Sequence, residues 1–489
     1  MNLYVNNNTF WFELENLTRA FFPNEKINVY RDSDEAKAPC VTACLGEDIR
    51  VSVRIGDFDR TLCEAVGADD DQNELITVKL LYRLLSEFSG VSLPWGLLTG
   101  VRPIKLLRRL TKGIGESAAA DKFLNDYFVS EEKLSLAQAT ERNEAKIISL
   151  SRPESFSLYV GVPFCPSRCS YCSFVMASVE RAKKLMEPYT RLLCEEIRQT
   201  AQIANDLGLR LESVYFGGGT PTTLSADQLR AVLGEVNQGF DLTSCREFTV
   251  EAGRPDTIDE ERLYALKENK VNRISINPQT LDPDVLRNIG RKHSVEDFYR
   301  AFELARSCGF DNINTDLIAG LPGDTPPGFR HSLDEILRLN AESVTVHTLC
   351  MKRAASLTTD GVVFNREDAE NARQMQRYAR ERLTSLGYLP YYLYRQTRMV
   401  GNLENVGWAK PGCESYYNVY VMDETHTILA CGSGGVTKLR DPNSDHLERI
   451  FNFKYPYEYI DRFDELMSRK QAISDFCSNT AFRLDYSDK

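Results

Sequence analysis

The sequence predicts an α/β fold: an incomplete, TIM-like (β/α)6 barrel that follows an α+β N-terminal domain and precedes a small C-terminal module. Two observations lead to this class. Six short apolar runs between residues 153 and 360 are each followed by a segment of helix length, and the flanking regions do not continue that alternation. Repeated strand–helix units favour a parallel sheet, and barrels of this kind gather their chemistry where the strands end.

The N-terminal region, residues 1–152, reads as short strands followed by helices. The strand-like runs are "KINVYR" and "IRVSVRIGDF", and the helical segments are "ELITVKLLYRLLSEFSG" and "EKLSLAQATERNEAKIISL". We predict a separate α+β domain here, and the sequence assigns it no role. The basic run from Arg102 to Leu110 is short and helix-like, which favours a solvated face over a nucleic-acid contact.

The barrel core is predicted over residues 153–360. Its six strands are expected at "SLYVGV", "SVYFGGG", "REFTVEA", "NRISI", "NINTDLIAG" and "SVTVHTL". Amphipathic stretches such as "VEDFYRAFELARSCG" supply the helices between them, because their apolar residues recur every three or four positions.

For residues 361–489 we predict a C-terminal module that completes the substrate pocket. A long helix is expected at "REDAENARQMQRYARERLTSLG", followed by the aromatic run "YLPYYLYRQ" and the glycine-rich run "LACGSGGVTK". The glycines of that last run lack the spacing of a phosphate-binding P-loop.

Composition limits the classes of function. The chain has 489 residues, 42% of them hydrophobic and 26% charged, and no apolar run near the length of a membrane span. Its start shows no secretory signal, so a cytoplasmic location is expected. A net charge of −11 disfavours a nucleic-acid binder, and the odd count of 13 cysteines argues against a disulfide framework.

The densest cluster of cysteines follows the first predicted strand. "GVPFCPSRCSYCSF" places Cys165, Cys169 and Cys172 at C-x3-C-x2-C spacing. Thiolates are the usual ligands of iron–sulfur clusters, and a four-iron cluster held by three of them keeps one iron open for another ligand. We therefore predict a 4Fe-4S cluster on these thiols, with a zinc site or plain turn cysteines as the alternative.

A glycine-rich turn follows the second predicted strand, in "YFGGGTPTTLS". Consecutive glycines let the backbone come close to a ligand, and exposed peptide groups can hold an amino or carboxylate group. Taken alone, such a turn is more often an ordinary loop.

Together the cysteine loop and "GGGTP" resemble the radical S-adenosylmethionine (SAM) superfamily. "LYVGVPFCPSRCSYCSF", "ISINPQTLDPDVLRNIGRKHS" and "NTDLIAGLPGDT" are similar to the oxygen-independent coproporphyrinogen III oxidase family, and "PWGLLTGVRPIKLL" and "NLENVGWAKPGCESYYN" resemble its HemZ-like branch. The resemblance spans about residues 156 to 440. It implies a 4Fe-4S cluster whose open iron chelates SAM, and a low-potential electron donor such as flavodoxin or ferredoxin.

The resemblance also implies a SAM site and no acid–base catalyst, since the cluster and SAM carry the chemistry. The matching positions are Tyr159, Tyr171, Ser173, Phe174, Gly218, Gly219, Thr220, Glu251, Gln279, Arg291 and Asp316. Asp316 stands inside an apolar strand, where a carboxylate costs several kcal/mol unless it is hydrogen-bonded. Ribose hydroxyls would satisfy it, and a buried salt bridge is the alternative.

The implied reaction is oxidative decarboxylation of coproporphyrinogen III to protoporphyrinogen IX in haem biosynthesis. A hydrogen leaves the β-carbon of a propionate, CO2 and one electron follow, and a vinyl group remains. A substrate with four carboxylates needs cationic contacts, for which Lys352, Arg353 and Arg395 are candidates, with solvated surface charge as the alternative. His347 either points into the pocket or is a satisfied core histidine, and the core is favoured because His347 lacks ligand companions.

Three positions depart from the relatives and keep the substrate open. Phe174 stands where the decarboxylating oxidases carry a fourth cysteine, and Gly161 where they carry a histidine. Tyr417 replaces the histidine of the related haem chaperone's haem motif. A haem-binding chaperone, or a radical SAM enzyme acting on another tetrapyrrole or substrate, therefore remain alternatives to the dehydrogenase.

Overall fold

The N-terminal part of the chain folds as a sheet covered by two helices. The structure is a computed structural model that describes residues 1–7, 10–33, 36–352, 355–359 and 361–479. The first elements are β1 (Asn2–Asn6), α1 (Trp11–Phe21), β2 (Asn28–Arg31), β3 (Cys40–Leu45), β4 (Asp48–Ile55), β5 (Phe58–Ala65) and α2 (Asp70–Ser89).

This N-terminal sheet has its own hydrophobic core. Its five strands run in the order β2-β1-β3-β4-β5, parallel around β1 and antiparallel from β3 onward. Leu81 and Leu85 of α2 pack on Val41, Val51 and Val53 of the sheet. Strand residues of alternating burial and helix residues four apart meet in this core, so the predicted strands and the first predicted helix are confirmed.

The helices that follow lie against the barrel. They are α3 (Pro103–Ile114), α4 (Glu116–Asp121), a π-helical turn (Lys122–Asp126) and α5 (Glu131–Ile148). Leu107 of α3 and Leu134 of α5 belong to the same hydrophobic core as the barrel strands. Arg108, in the middle of the basic run, is held by Glu144 at 2.7 Å and Glu141 at 3.2 Å, so this run serves packing between elements.

Six parallel strands form the barrel, as predicted. The elements are β6 (Ser155–Val162), β7 (Phe164–Cys165), β8 (Ala177–Ser178), α6 (Val179–Asp206), β9 (Arg210–Gly218), α7 (Ala226–Gly239), β10 (Glu247–Glu251), α8 (Glu260–Glu268), β11 (Arg273–Ser275), α9 (Pro283–Asn288), α10 (Val295–Ser307), β12 (Ile313–Ala319), α11 (Pro326–Arg338) and β13 (Ser343–Thr348). Strands β6, β9, β10, β11, β12 and β13 are neighbours in that order. Short 3-10 turns follow β9 and β10, at Pro221–Thr223 and Pro255–Thr257.

The C-terminal residues extend the barrel sheet at both edges. They form α12 (Ser356–Thr359), α13 (Arg366–Ser385), β14 (Leu389–Tyr394), a 3-10 turn (Val400–Asn402), β15 (Asn405–Ala409), α14 (Tyr416–Asp423), β16 (Thr427–Cys431), β17 (Val436–Arg440), β18 (Leu447–Phe451), α15 (Pro456–Asp461) and α16 (Phe463–Asn479). Strand β15 pairs antiparallel with β13, whereas β16 pairs parallel with β6. The barrel stays incomplete because these strands occupy the edges that closure would join.

Buried polar bonds fasten the C-terminal strands and helices to the barrel. Glu196 of α6 is fully buried and accepts hydrogen bonds from Gly432 N at 2.7 Å and Tyr459 Oη at 2.7 Å. Lys470 Nζ of α16 lies 3.0 Å from the same carboxylate. Within the described part of the chain, no helix is long and apolar enough to cross a membrane.

Candidate cluster and cofactor site

One cavity of about 370 Å³ opens where the barrel strands end. Loops after successive parallel strands converge at this edge, which is where the sequence places its motifs. Most of the predicted site residues line this cavity: Cys165, Cys169, Tyr171, Cys172, Ser173, Phe174, Gly218, Gly219, Thr220, Glu251, Gln279, Arg291 and Asp316.

The three thiols share this cavity but do not converge on a single point. Cys165 Sγ lies 3.4 Å from Thr220 Oγ1, and Cys172 N donates to Cys169 O at 3.1 Å. Among the described residues, no three His, Cys, Asp or Glu side chains are grouped to hold one metal ion. A cluster does not require such a group, because each cysteine binds a different iron.

The chemistry of these thiols fits a bound cationic cluster. Burial raises the pKa of Cys165 to about 11 and also raises the pKa of Cys172. Both are therefore neutral thiols before a cluster binds, and binding a cluster would release their protons. Three soft donors at the wall of one cavity suit iron–sulfur ligation.

An arginine that the sequence pattern left unassigned supports the cysteine loop. Arg254 is 3% exposed and donates to Ser167 Oγ at 3.0 Å and to Ser167 O at 3.3 Å. Its guanidinium also lies 3.7 Å from Cys169 Sγ and 3.1 Å from Asp256. The signal was available in "TVEAGRP", where a basic residue directly follows a buried strand.

The glycine turn, residues 217–220, packs closely against the backbone of the loop after β6. Gly218 has φ +103°, which L side chains rarely adopt, and a Cβ on Gly219 would lie 2.6 Å from Phe164 O. The N–H groups of Gly219 and Thr220 donate to Val162 O at 2.8 Å and Phe164 O at 2.7 Å. The expectation that free peptide N–H groups here hold a ligand carboxylate is therefore wrong for these two residues.

Two strand-end carboxylates face each other across the cavity. Tyr215 Oη donates to Glu251 Oε1 at 2.5 Å, and burial raises the pKa of Glu251 to about 7. Asp316 accepts from Asn314 Nδ2 at 2.7 Å. Burial opposes ionisation of Asp316, but hydrogen bonds from His347 and Asn314 outweigh it and the pKa is lowered. The pKa of Glu251 is thus close to neutral pH, whereas the neighbouring Asp316 stays ionised.

His347 lines the cavity, so its assignment to the core is wrong. Its Nε2 lies 3.6 Å from Asp316 Oδ2, and 27% of its side chain is exposed. Alternation along β13 turns this residue toward the cavity, whereas Val344 and Val346 are fully buried.

Gln279 and Arg291 leave polar atoms unsatisfied beside the cavity. Gln279 has φ +71°, and its Oε1 is buried without a hydrogen-bond partner among the described residues. Arg291 donates to Asn277 O at 2.7 Å and to Tyr171 Oη at 3.1 Å, while its Nε is likewise unpartnered within the described chain. Buried polar groups are normally paired, so this wall fits a polar ligand such as SAM.

Tyr159 does not line the cavity. It lies behind the glycine turn, where a Cβ on Gly218 would come 3.3 Å from its Oη. Its ring stacks on Tyr417, with centroids 6.2 Å apart, and Tyr417 stacks on Tyr215 at 4.4 Å. The position that carries a histidine in the related haem motif is thus the middle ring of a stack of three tyrosines.

The three cationic candidates differ in their placement. Lys352 lines the cavity, and its Nζ lies 5.9 Å from the ring of Phe174. Arg395 does not line it and is 2% exposed, because its guanidinium is bound to the backbone oxygen of Leu98 and to Asn402. The prediction that Arg395 contacts the substrate is therefore wrong. Arg353 lies outside the described residues.

Arg273 is a cation of this cavity that the sequence pattern did not reveal. It is 2% exposed, lines the cavity and donates to Ser343 Oγ at 2.8 Å. Its Nε has no partner among the described residues. An arginine at the start of a short buried strand was the available signal, since such residues are rarely buried without a purpose.

Comparison with known proteins places this site in a family. The radical SAM superfamily model matches residues 159–336. The oxygen-independent coproporphyrinogen-III oxidase-like protein HemZ of Bacillus subtilis (strain 168) is 39% identical over 399 residues, 81% of this chain and 80% of that protein. The heme chaperone HemW of Lactococcus lactis subsp. lactis (strain IL1403) is 31% identical over 338 residues, 67% of this chain and 80% of that protein.

A solved structure shares the fold. Coproporphyrinogen III oxidase (HemN) from Escherichia coli aligns with a TM-score of 0.52 at 22% identity, covering 66% of this chain and 73% of that one. Fold, cysteine loop and sequence match together define a radical SAM protein. Within that superfamily, the chain belongs to the HemZ-like branch of the oxygen-independent coproporphyrinogen III oxidase family.

Proposed function

We propose that this protein is a radical SAM oxidoreductase that converts coproporphyrinogen III to protoporphyrinogen IX without oxygen. The observation that carries the proposal is one cavity in which three thiols stand beside polar atoms of Gln279 and Arg291 that have no partner in the described part of the chain. Membership of the HemZ-like branch supports the choice of a tetrapyrrole as substrate.

In this proposal the side chains of the cavity divide into two groups. Cys165, Cys169 and Cys172 would hold the cluster, which would leave one iron open to bind SAM. The side chains assigned to SAM on the cavity wall are Tyr171, Ser173, Phe174, Thr220, Glu251, Gln279, Arg291 and Asp316, with backbone from Gly218 and Gly219. Tyr159 acts indirectly, by supporting the glycine turn.

The bound cluster and SAM supply hydrogen-atom abstraction from an unactivated carbon. Each vinyl group formed would consume one SAM, release one CO2 and pass one electron to an acceptor. The electron that starts the reaction would come from a low-potential donor such as flavodoxin or ferredoxin. The residues of this chain orient the propionate and exclude water. Tyr392 and Tyr394 of β14 line the cavity and suit that role.

Charge within the cavity fits a substrate that carries carboxylates. Arg273 and Lys352 both line it, and Arg273 keeps an unpartnered Nε among the described residues. Hydrogen bonds from a buried guanidinium to a carboxylate are among the stronger ones in proteins. These two cations are the proposed propionate contacts.

The direct test is turnover by the reconstituted protein. The cluster is rebuilt without oxygen, SAM, a reductant and coproporphyrinogen III are added, and protoporphyrin is quantified after oxidation of the products. Conversion is expected in the wild type, none in Cys169→Ala, and unchanged conversion in Cys63→Ala, which alters an exposed thiol of β5. An intact cluster that cleaves SAM without forming vinyl groups contradicts the assignment.

Haem handling is the second candidate, and one observation favours it. Phe174 replaces the fourth cysteine of the decarboxylating oxidases, and two heme chaperones, from Lactococcus lactis and Bacillus subtilis, are 31% and 39% identical to this chain over their matched regions. This function predicts stoichiometric haem binding with no decarboxylation. Absorbance titration with haem, run beside the turnover assay, separates the two.

A further inference from the structure

A second cavity, of about 650 Å³, lies between the N-terminal sheet domain and the start of α13. Its walls come from the end of α1, the end of α2, the first turns of α13 and the segment 396–402. We call it the arginine cavity. Its volume is in the range of ligand sites, and no motif discussed above accounts for it.

The charge of this cavity is positive. Among the described residues, four arginines and two glutamates contribute to its lining. Arg373 pairs with Glu370 at 3.5 Å through one nitrogen, yet its Nε is buried without a partner in the described chain. Asn402 Nδ2 is a second buried donor with no partner there. The arginines that line this cavity call for an acceptor with negative charge.

The remaining lining is aromatic. Phe21, Phe22, Phe88 and Phe364 contribute to it, and the rings of Phe22 and Phe88 lie 6.1 Å apart. Rings of this kind bury a flat apolar surface, while neighbouring guanidinium groups bind carboxylates at its edge. The lining therefore suits a flat molecule that carries several carboxylates.

The arginine cavity and the cluster cavity share a wall. Gln396 lines both of them. Met351 N donates to Arg398 O at 3.0 Å and Cys350 Sγ to Thr397 O at 3.2 Å, which joins the end of β13 to the segment between the cavities. A ligand held in the arginine cavity is thus one side chain away from the cluster cavity.

We propose that the arginine cavity is a second site for the carboxylate-bearing tetrapyrrole, next to the cluster cavity in which Arg273 and Lys352 hold it for the reaction. In this second site its rings lie against the phenylalanines and its carboxylates contact Arg373 and Arg19. The chemical class of the ligand rests on the proposed function, whereas the site itself rests on the lining. The N-terminal domain thereby gains a role, because it supplies one wall of a tetrapyrrole site beside the radical chemistry.

The test is a binding titration that needs no turnover. Coproporphyrin III, the stable oxidised form, is titrated into the holoprotein without SAM and followed by its fluorescence. Arg373→Gln is expected to weaken binding by roughly tenfold or more, since it removes a charge-assisted hydrogen bond. Arg377→Gln is the matched control, because Arg377 is exposed one turn later on α13 and does not line the cavity.

Two further measurements make the result specific. The tetramethyl ester of coproporphyrin III lacks the carboxylates and is expected to bind at least tenfold more weakly. Arg19→Gln changes a different wall and is expected to weaken binding as well, which guards against a local folding defect in Arg373→Gln. Unchanged affinity in both variants, or equal binding of the ester, overturns the inference.

These outcomes are separable from those of the proposed reaction. Binding that depends on Arg373 together with no vinyl product rejects the reaction and retains the site. Vinyl formation together with binding that ignores Arg373 and Arg19 rejects the site and retains the reaction.

Discussion

The cluster cavity and the arginine cavity share Gln396 in their walls but differ in chemistry. The first combines thiols, carboxyl groups and polar atoms without a partner in the described chain, all at the ends of parallel strands. The second combines arginines and phenylalanines contributed by helices of different domains. One fold can thus place the residues proposed to carry out the reaction and the residues proposed to recognise the tetrapyrrole on opposite sides of one short segment, residues 396–402.

The largest effect is expected from a substitution that disrupts only the cluster cavity. Cys169→Ala removes a cluster ligand, so we expect loss of the iron–sulfur absorbance and of SAM cleavage, because three thiolates are the minimum set here. Coproporphyrin III binding is expected to change less than twofold. Iron content, SAM cleavage and the porphyrin titration are measured on one preparation. Loss of porphyrin binding together with the cluster contradicts the separation of the two cavities.

A smaller effect is expected at Glu404, which lies two residues after the segment 396–402 between the two cavities. Glu404 is 1% exposed and accepts hydrogen bonds from Trp95 Nε1 and Lys133 Nζ, both at 2.7 Å. Glu404→Leu leaves the buried Lys133 ammonium with only the distant Glu132 carboxylate, 3.9 Å away, so we expect a loss of about 3–5 kcal/mol in the free energy of unfolding. Chemical denaturation measures it.

The matched control for this change is Glu381→Leu, at an exposed position of α13. It is expected to alter the unfolding free energy by no more than about 0.5 kcal/mol. Adding Lys133→Met to Glu404→Leu removes the stranded charge and is expected to recover part of the loss. Additive effects of the two substitutions would mean that the pair is not coupled.

Next in size is the glycine turn. A Cβ on Gly219 would lie 2.6 Å from Phe164 O and 2.8 Å from Val162 O, both backbone atoms that cannot move alone. Gly219→Ala is therefore expected to cost about 1–3 kcal/mol of stability and to weaken SAM binding. Gly113→Ala is the control, since its Cβ meets nothing within 4 Å. Equal thermal midpoints for the two variants argue against the tight contact.

The smallest effect concerns pH. Burial raises the pKa of Glu251 from 4.5 to about 7, with Asp316 adding to the rise and Tyr215 and His347 opposing it. Because the folded pKa lies above the unfolded one, the stabilisation from the neutral carboxyl is full below pH 4.5 and is lost as pH rises toward 7. Glu251→Gln should lose less thermal stability than the wild type between pH 5 and pH 8. Parallel curves contradict the raised pKa.

Much of the cluster cavity could be predicted from the sequence, because its residues lie in short stretches of the chain or at the ends of predicted strands. The cysteine loop lies within one short stretch, and the strand-end residues Glu251 and Asp316 follow from the βα alternation. The buried role of Arg395 was missed, because its partners Leu98 and Asn402 become neighbours through tertiary packing. His347 was misassigned because the side to which a strand residue points depends on register.

The arginine cavity had no local signal at all. Arg19 and Arg373 are far apart in sequence, and each reads as an ordinary helical surface charge. Their meeting depends on how the N-terminal domain docks on α13, which composition and periodicity do not encode. Motifs predict sites built by one loop or one sheet edge, whereas sites between domains require the packed structure.

The most direct test of the central claim follows one hydrogen atom. Coproporphyrinogen III deuterated at the β-carbons of its propionates is incubated anaerobically with the reconstituted protein, SAM and reductant, and 5′-deoxyadenosine is analysed by mass spectrometry. Hydrogen abstraction from this substrate predicts one deuterium in the 5′-deoxyadenosine for each vinyl group formed. Deoxyadenosine that carries no deuterium, from a protein whose cluster is intact, contradicts it.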